Sequence, residues 1–145
     1  MNTRVFYNDK MRAWFATVAD QAVDYPEVDP FHTVFKFAPN VYSLYEENID
    51  GGSAMWMHLI EGTEKALLVD TGYGTEDVAG FIRTLTDKPL ILVLTHAHPD
   101  HFYHMDEFDT VYMSHEEFKL GEETLRYMMA GKDLDLANTI HISTG

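Results

Sequence analysis

Residues 89–101, PLILVLTHAHPDH, are an uninterrupted apolar run followed directly by three histidines and an aspartate. A run of this length without a polar residue predicts a buried strand, the kind found inside parallel sheets. Upstream, AMWMHLIE (54–61) and KALLVD (65–70) are two more apolar runs separated by the polar Gly62, Thr63 and Glu64. They predict a hairpin whose second strand is buried on both faces. Between residues 70 and 89 the sequence TEDVAGFIRTL (75–85) has a Thr75 cap and acids in its first turn, the pattern of a helix start. Strand, helix and strand in this order imply a parallel pair joined by a right-handed crossover. The histidines then leave the sheet at its carboxyl edge, where ligands bind in α/β proteins.

The flanks complete an α/β pattern. Met11, Trp14, Phe15 and Val18 recur at helical spacing behind Asn8, a candidate cap. TVFKFAP (33–39) and NVYSLYEE (40–47) read as strands, followed by the turn-like residues 50–52. After the histidine loop, TVYMS (110–114) is a short strand. Ser114 then caps a helix, Glu117 completes a capping box, and Phe118, Leu125 and Met129 supply the apolar face. TIHISTG (139–145) opens a further strand. Residues 1–145 read as a single domain, without repeats or low-complexity linkers.

Composition narrows the function. The chain has 24 acidic and 10 basic residues, a formal charge of −14, which opposes binding to a nucleic-acid backbone. No apolar run is long enough to cross a bilayer and MNTRVFYNDK is no signal peptide, so the expectation is a cytoplasmic protein that does not engage membranes. There is no cysteine, which leaves a metal only His, Asp, Glu and water as ligands. His96 and His98, two apart in an extended segment, project to one side and suit one ion, while Asp100 and His101 suit a second. Two such ions would share a bridging hydroxide. Chance places this spacing in roughly one of several hundred chains of similar histidine content. His104 and His115 are expected to face solvent, His32 to lie in a turn beside Pro30, and His58 to be structural. His141, at a strand start, has no partner nearby.

The loop His96-Ala97-His98-Pro99-Asp100-His101 resembles the HxHxDH signature of the metallo-β-lactamase superfamily, and LIEGTEKALLVDTGYG (59–74) resembles that family's paired strands and Asp-Thr-Gly turn. The resemblance spans residues 37–145. It implies a metallo-β-lactamase-like αββα sandwich, of which this chain would hold one sheet and its helices as the N-terminal part. It implies zinc, two ions in the complete site, with iron or manganese as alternatives. His96 and His98 would ligate the first ion, Asp100 and His101 the second, and Asp70 would orient the site from behind. A plain strand-end turn residue is the competing reading of Asp70.

The activity implied is hydrolysis, with metal-bound hydroxide attacking an ester, thioester, lactone or amide bond of a small-molecule substrate and Asp100 orienting the hydroxide. Thioester or lactone is preferred, since the negative charge disfavours nuclease action. Two departures stand out. Phe102-Tyr103-His104 replaces the family's small, glycine-rich pair and is expected to narrow the ground beside the metals. The family's remaining ligands come from a C-terminal half that is not in this sequence, so each ion would have two protein ligands and bind weakly. A lone sheet also leaves an apolar face open, to be covered by a second copy in a homodimer or by the missing half. The alternative is a non-catalytic remnant or interaction subunit that keeps the loop as structure.

Overall fold

The computed structural model describes residues 8–47, 54–73, 77–132 and 140–143. Among these, eight strands form one sheet in simple chain order. They are β1 (Val23–Tyr25), β2 (Asp29–Ala38), β3 (Val41–Glu47), β4 (Ala54–Glu61), β5 (Ala66–Val69), β6 (Leu90–Val93), β7 (Val111–Ser114) and β8 (Ile140–Ser143). Pairing is antiparallel from β1 to β5 and parallel from β5 to β8. Parallel strands need a crossover connection, and here each contains a helix: α2 (Val78–Leu85) between β5 and β6, the short α3 (Pro99–Phe102) between β6 and β7, and α4 (His115–Met128) between β7 and β8. An N-terminal helix, α1 (Asp9–Val18), precedes the sheet.

The helix starts follow capping chemistry. Asn8 Oδ1 accepts from Met11 N at 3.0 Å, as its position in the sequence predicts. Ser114 Oγ accepts from Glu117 N at 3.2 Å. The start of α2 differs from expectation: Asp77, not Thr75, is the cap, accepting from Gly80 N at 2.7 Å. Thr75 lies outside the described residues, as does the expected turn at 50–52.

The two faces of the sheet are unequal. Leu59, Leu68, Leu92 and Val111 are opposite one another across β4 to β7, and they pack with Phe81 and Ile82 of α2, Phe102 of α3 and Leu125 of α4 in the main core. The other face carries a smaller aromatic cluster of Phe15, Phe35 and Tyr45, where α1 lies over β2 to β4. Further along that face, Ile60, Leu67, Val69, Ile91 and Val93 are half-buried and Tyr112 is exposed. The expectation that 65–70 and 89–94 are buried on both faces is therefore corrected. The buried residues of α2, α3 and α4 all join the first face, so side-chain alternation leaves the second row of β5 and β6 without their cover.

His32 lies in β2 rather than in a turn, because the strand begins at Asp29. It is fully enclosed, with Nδ1 2.5 Å from Asp29 Oδ2 and Nε2 3.8 Å from Glu46 Oε2. Burial pulls its pKa down, but the hydrogen bond to Asp29 and the negative charges of Asp29 and Glu46 outweigh it and raise the value from 6.5 to about 9. The folded state thus holds this proton more tightly than the unfolded chain. Its contribution, on the order of 3 kcal/mol, is complete below about pH 6.5 and disappears as pH rises through about 9. Urea denaturation between pH 6 and 9.5 is expected to show a falling midpoint, and His32→Gln should flatten that dependence.

Candidate metal centre

The site starts from strand register. Because β5 and β6 are parallel with Val69 opposite Val93, their carboxyl ends leave the sheet side by side, and Asp70 N donates to Val93 O at 2.9 Å. Asp70 then takes a left-handed conformation, φ 64°, alone among the described non-glycine residues. Aspartate tolerates this better than most residues. Its buried carboxylate accepts three bonds: from Thr95 N at 2.8 Å, from Thr95 Oγ1 at 2.7 Å and from His101 Nδ1 at 2.8 Å. Asp70 is thus both the strand-end turn residue and a contact of the histidine loop.

These bonds set the ring tautomers. The proton on His101 Nδ1 faces Asp70, leaving Nε2 with the lone pair in the neutral ring. Thr95 has one hydroxyl proton and gives it to Asp70, so towards His96 Nδ1, 2.8 Å away, it must accept. His96 Nδ1 therefore carries a proton and its Nε2 also keeps a lone pair. The rings gather closely: His96 and His98 centroids are 4.5 Å apart, those of His96 and His101 3.9 Å. Asp100 Oδ2 is 3.6 Å from His101 Nε2. Burial lowers the His101 pKa, but hydrogen bonding to Asp70 and the charges of Asp70, Asp100 and Glu46 raise it overall. Among the described residues, no group of three or more His, Cys, Asp or Glu is arranged to hold a metal ion.

Residues that the sequence did not assign to the site frame this loop. Thr71 donates through both N and Oγ1 to His101 O, at 2.9 and 3.0 Å, and its hydroxyl accepts from His104 N at 3.1 Å. Glu46 accepts from Tyr73 N at 2.9 and 3.1 Å, which secures the Asp-Thr-Gly turn from β3. Glu117 does not close a capping box. Its Oε2 accepts from Ala97 N at 3.2 Å, inside the histidine loop. A cavity of about 530 Å³ opens here, lined by His96, Ala97, His98, Glu117, Leu120, Gly121 and Thr124.

The remaining histidines divide. His104 is buried rather than solvent-facing: Nε2 lies 2.7 Å from Tyr73 O and Nδ1 2.6 Å from Glu107 Oε2. Burial lowers its pKa, but Glu107 and the Tyr73 carbonyl outweigh this and raise it overall. Phe102 is also buried, so the Phe-Tyr-His segment turns two side chains into the core and leaves only Tyr103 half-exposed, packed on Tyr73. The expected narrowing of the ground beside the loop thus reduces to one tyrosine. His115 is exposed and His58, half-buried, bonds Ser43 Oγ at 3.0 Å. His141 pairs with Tyr112 in β8, two strands from β6.

Residues 51–113 match the sequence model of the metallo-beta-lactamase superfamily. No curated protein matches the chain. The fold is similar to that of the metallo beta lactamase from Hirschia baltica, with 22% identity over 64% of this chain and 48% of that one, TM-score 0.51. It is also similar to FIM-1 from Pseudomonas aeruginosa in its mono-zinc form (19% identity, 63% and 46%, TM-score 0.50). A third likeness is the metallo beta lactamase from Erythrobacter litoralis with beta mercaptoethanol in its active site (19% identity, 70% and 48%, TM-score 0.52). The chain spans about half the length of these structures. The superfamily resemblance and the expected fold, one sheet with its helices, are both borne out.

Removing the Asp70 carboxylate strands two donors of Thr95 and one of His101 in a part-buried setting. Asp70→Ala is expected to cost about 2–4 kcal/mol of stability, read from urea denaturation at pH 7. An unchanged midpoint would show that the loop does not depend on this carboxylate.

Proposed function

We propose that this chain carries the metal loop of a metal-dependent hydrolase acting on small molecules. His96 and His98 would hold one zinc ion, Asp100 and His101 a second. The observation that carries this reading is the hydrogen bonding of Thr95 and Asp70, which commits Nδ1 of His96 and of His101 to a proton and leaves each Nε2 to donate. Imidazoles held from behind in this way are the usual form of metal-binding histidine. Such an ion supplies Lewis acidity towards a carbonyl or phosphoryl oxygen and makes water a usable nucleophile near neutral pH. The chain's own residues do the positioning: Asp70 and Thr95 orient the imidazoles, and Asp100 orients the attacking water. An ester-like bond, thioester or lactone first, is the proposed target, since an acidic chain repels polyanionic substrates.

In this reading residues 1–145 are the N-terminal part of a metallo-β-lactamase-like domain. The half-buried row Ile60, Leu67, Val69, Ile91 and Val93 is covered by a complementary sheet, either a second copy or a C-terminal half, which also brings the missing ligands. Iron or manganese would suit the same donors. Among the described residues, no helix is long and apolar enough to cross a membrane. A cytoplasmic setting belongs to the same proposal. The second reading is a non-catalytic subunit that keeps the loop as structure.

Calorimetric titration with zinc, alongside assays on thioester, lactone, β-lactam and phosphodiester substrates, separates the two. Zinc binding that weakens at least tenfold in His96→Ala and His98→Ala, with turnover of one substrate class, is the expected result. Binding without turnover supports the second reading, and no binding removes the metal reading altogether. Sedimentation is expected to give a mass above the 16.6 kDa of one chain, reverting to monomer in Ile91→Glu. A monomeric parent chain would reject self-association.

A further inference from the structure

We infer that α4 sets the aim of the histidine loop through Glu117 and Gly121, both acting on Ala97, the residue between His96 and His98. The inference rests on the reading of that loop as metal-binding. Glu117 and Gly121 are four apart and so share one face of α4. A glycine inside a helix is less favourable than alanine, which calls for a reason at its position. At Gly121 the reason is contact: a Cβ built there would overlap the Ala97 methyl, with Ala97 O at 3.3 Å and Ala97 Cα at 3.4 Å. The helix approaches the loop closely only because that methyl group is missing.

Glu117 holds the same residue by its amide. Its Oε2 accepts from Ala97 N at 3.2 Å, and the first turn of α4 that carries it is itself capped by Ser114. Ala97 is thus located by two contacts from one helix face, its methyl against Gly121 and its N–H on Glu117. Ala97 is buried, while His96 is half-buried and His98 exposed. The His96 and His98 rings flank Ala97 with centroids 4.5 Å apart and line one cavity with Glu117 and Gly121, so the place taken by Ala97 sets where both imidazoles begin. Glu117 and Gly121 are therefore positioning residues, acting through Ala97 rather than on any ligand.

The test uses Gly121→Ala, Glu117→Ala, Glu117→Gln and the double variant Ala97→Gly/Gly121→Ala. Two readouts are taken: hydrogen exchange of the residue 97 amide with the His96 and His98 ring resonances in metal-free protein, and zinc affinity by calorimetry. Gly121→Ala is expected to shift both ring resonances and to weaken zinc binding at least tenfold, the range seen when groups behind metal ligands are lost. The double variant, which removes the colliding methyl, should recover both. Glu117→Ala should speed exchange at residue 97 about tenfold or more, whereas Glu117→Gln, which keeps an acceptor, should stay near the parent.

Unchanged ring resonances and exchange in both Gly121→Ala and Glu117→Ala would overturn the inference, as would failure of the double variant to recover. If Gly121→Ala does not fold, the Glu117 pair decides. Metal-free effects as expected in a protein that binds no zinc would leave the positioning role standing and remove the metal reading. Zinc binding with rings unmoved in every variant would do the reverse.

Discussion

The Asp70 carboxylate is the constraint on which the rest of the site depends. It sits where two parallel strands end together, in a backbone conformation that few side chains accept, and it gathers Thr95 and His101 from a loop 25 to 31 residues further along the chain. A buried carboxylate without partners would be prohibitively unstable, so the three donors it collects are a condition of its being there. The same requirement orders the loop. Thr95 must turn its hydroxyl towards Asp70, and this decides which nitrogen of His96 carries a proton.

Around this point the structure repeats one device, an acidic side chain that holds a backbone amide or an imidazole of another element. Glu46 holds Tyr73 N, Glu117 holds Ala97 N, and Glu107 holds both Ala79 N and His104. Part of the large negative charge thus works inside the fold, where each carboxylate meets a donor instead of another carboxylate. Such neighbours raise the pKa of the buried imidazoles of His32 and His104, which ties folding stability to pH away from the loop as well as at it.

The unequal sheet faces connect architecture to function. Among the described residues, one face is closed by α2, α3 and α4, and the other is closed by α1 only over β2 to β4. The histidine loop stands at the carboxyl edge of β6, beside the strands whose second face keeps a half-buried apolar row. Solved structures of this fold are about twice as long as the stretch they share with this chain. A sheet laid over that row would close the hydrophobic face and stand next to the histidine loop.

Much of this was legible in order along the chain. Short-range patterns report local conformation directly, so the apolar runs at 54–61, 65–70 and 89–94, the caps at Asn8 and Ser114 and the clustered His96, His98, Asp100 and His101 could be read without a structure. What they touch could not. Glu117 has the spacing of a capping box and bonds Ala97 instead; His104 looks like a loop histidine and is buried between Tyr73 and Glu107; Thr95 carries no motif at all. Each of these pairings joins residues 20 or more positions apart, or turns a side chain by the packing of an element not yet formed. A sequence period encodes which way a residue points relative to its own strand or helix. Only the register of β5 against β6, and the close approach of α4 that Gly121 permits, decides what lies in that direction.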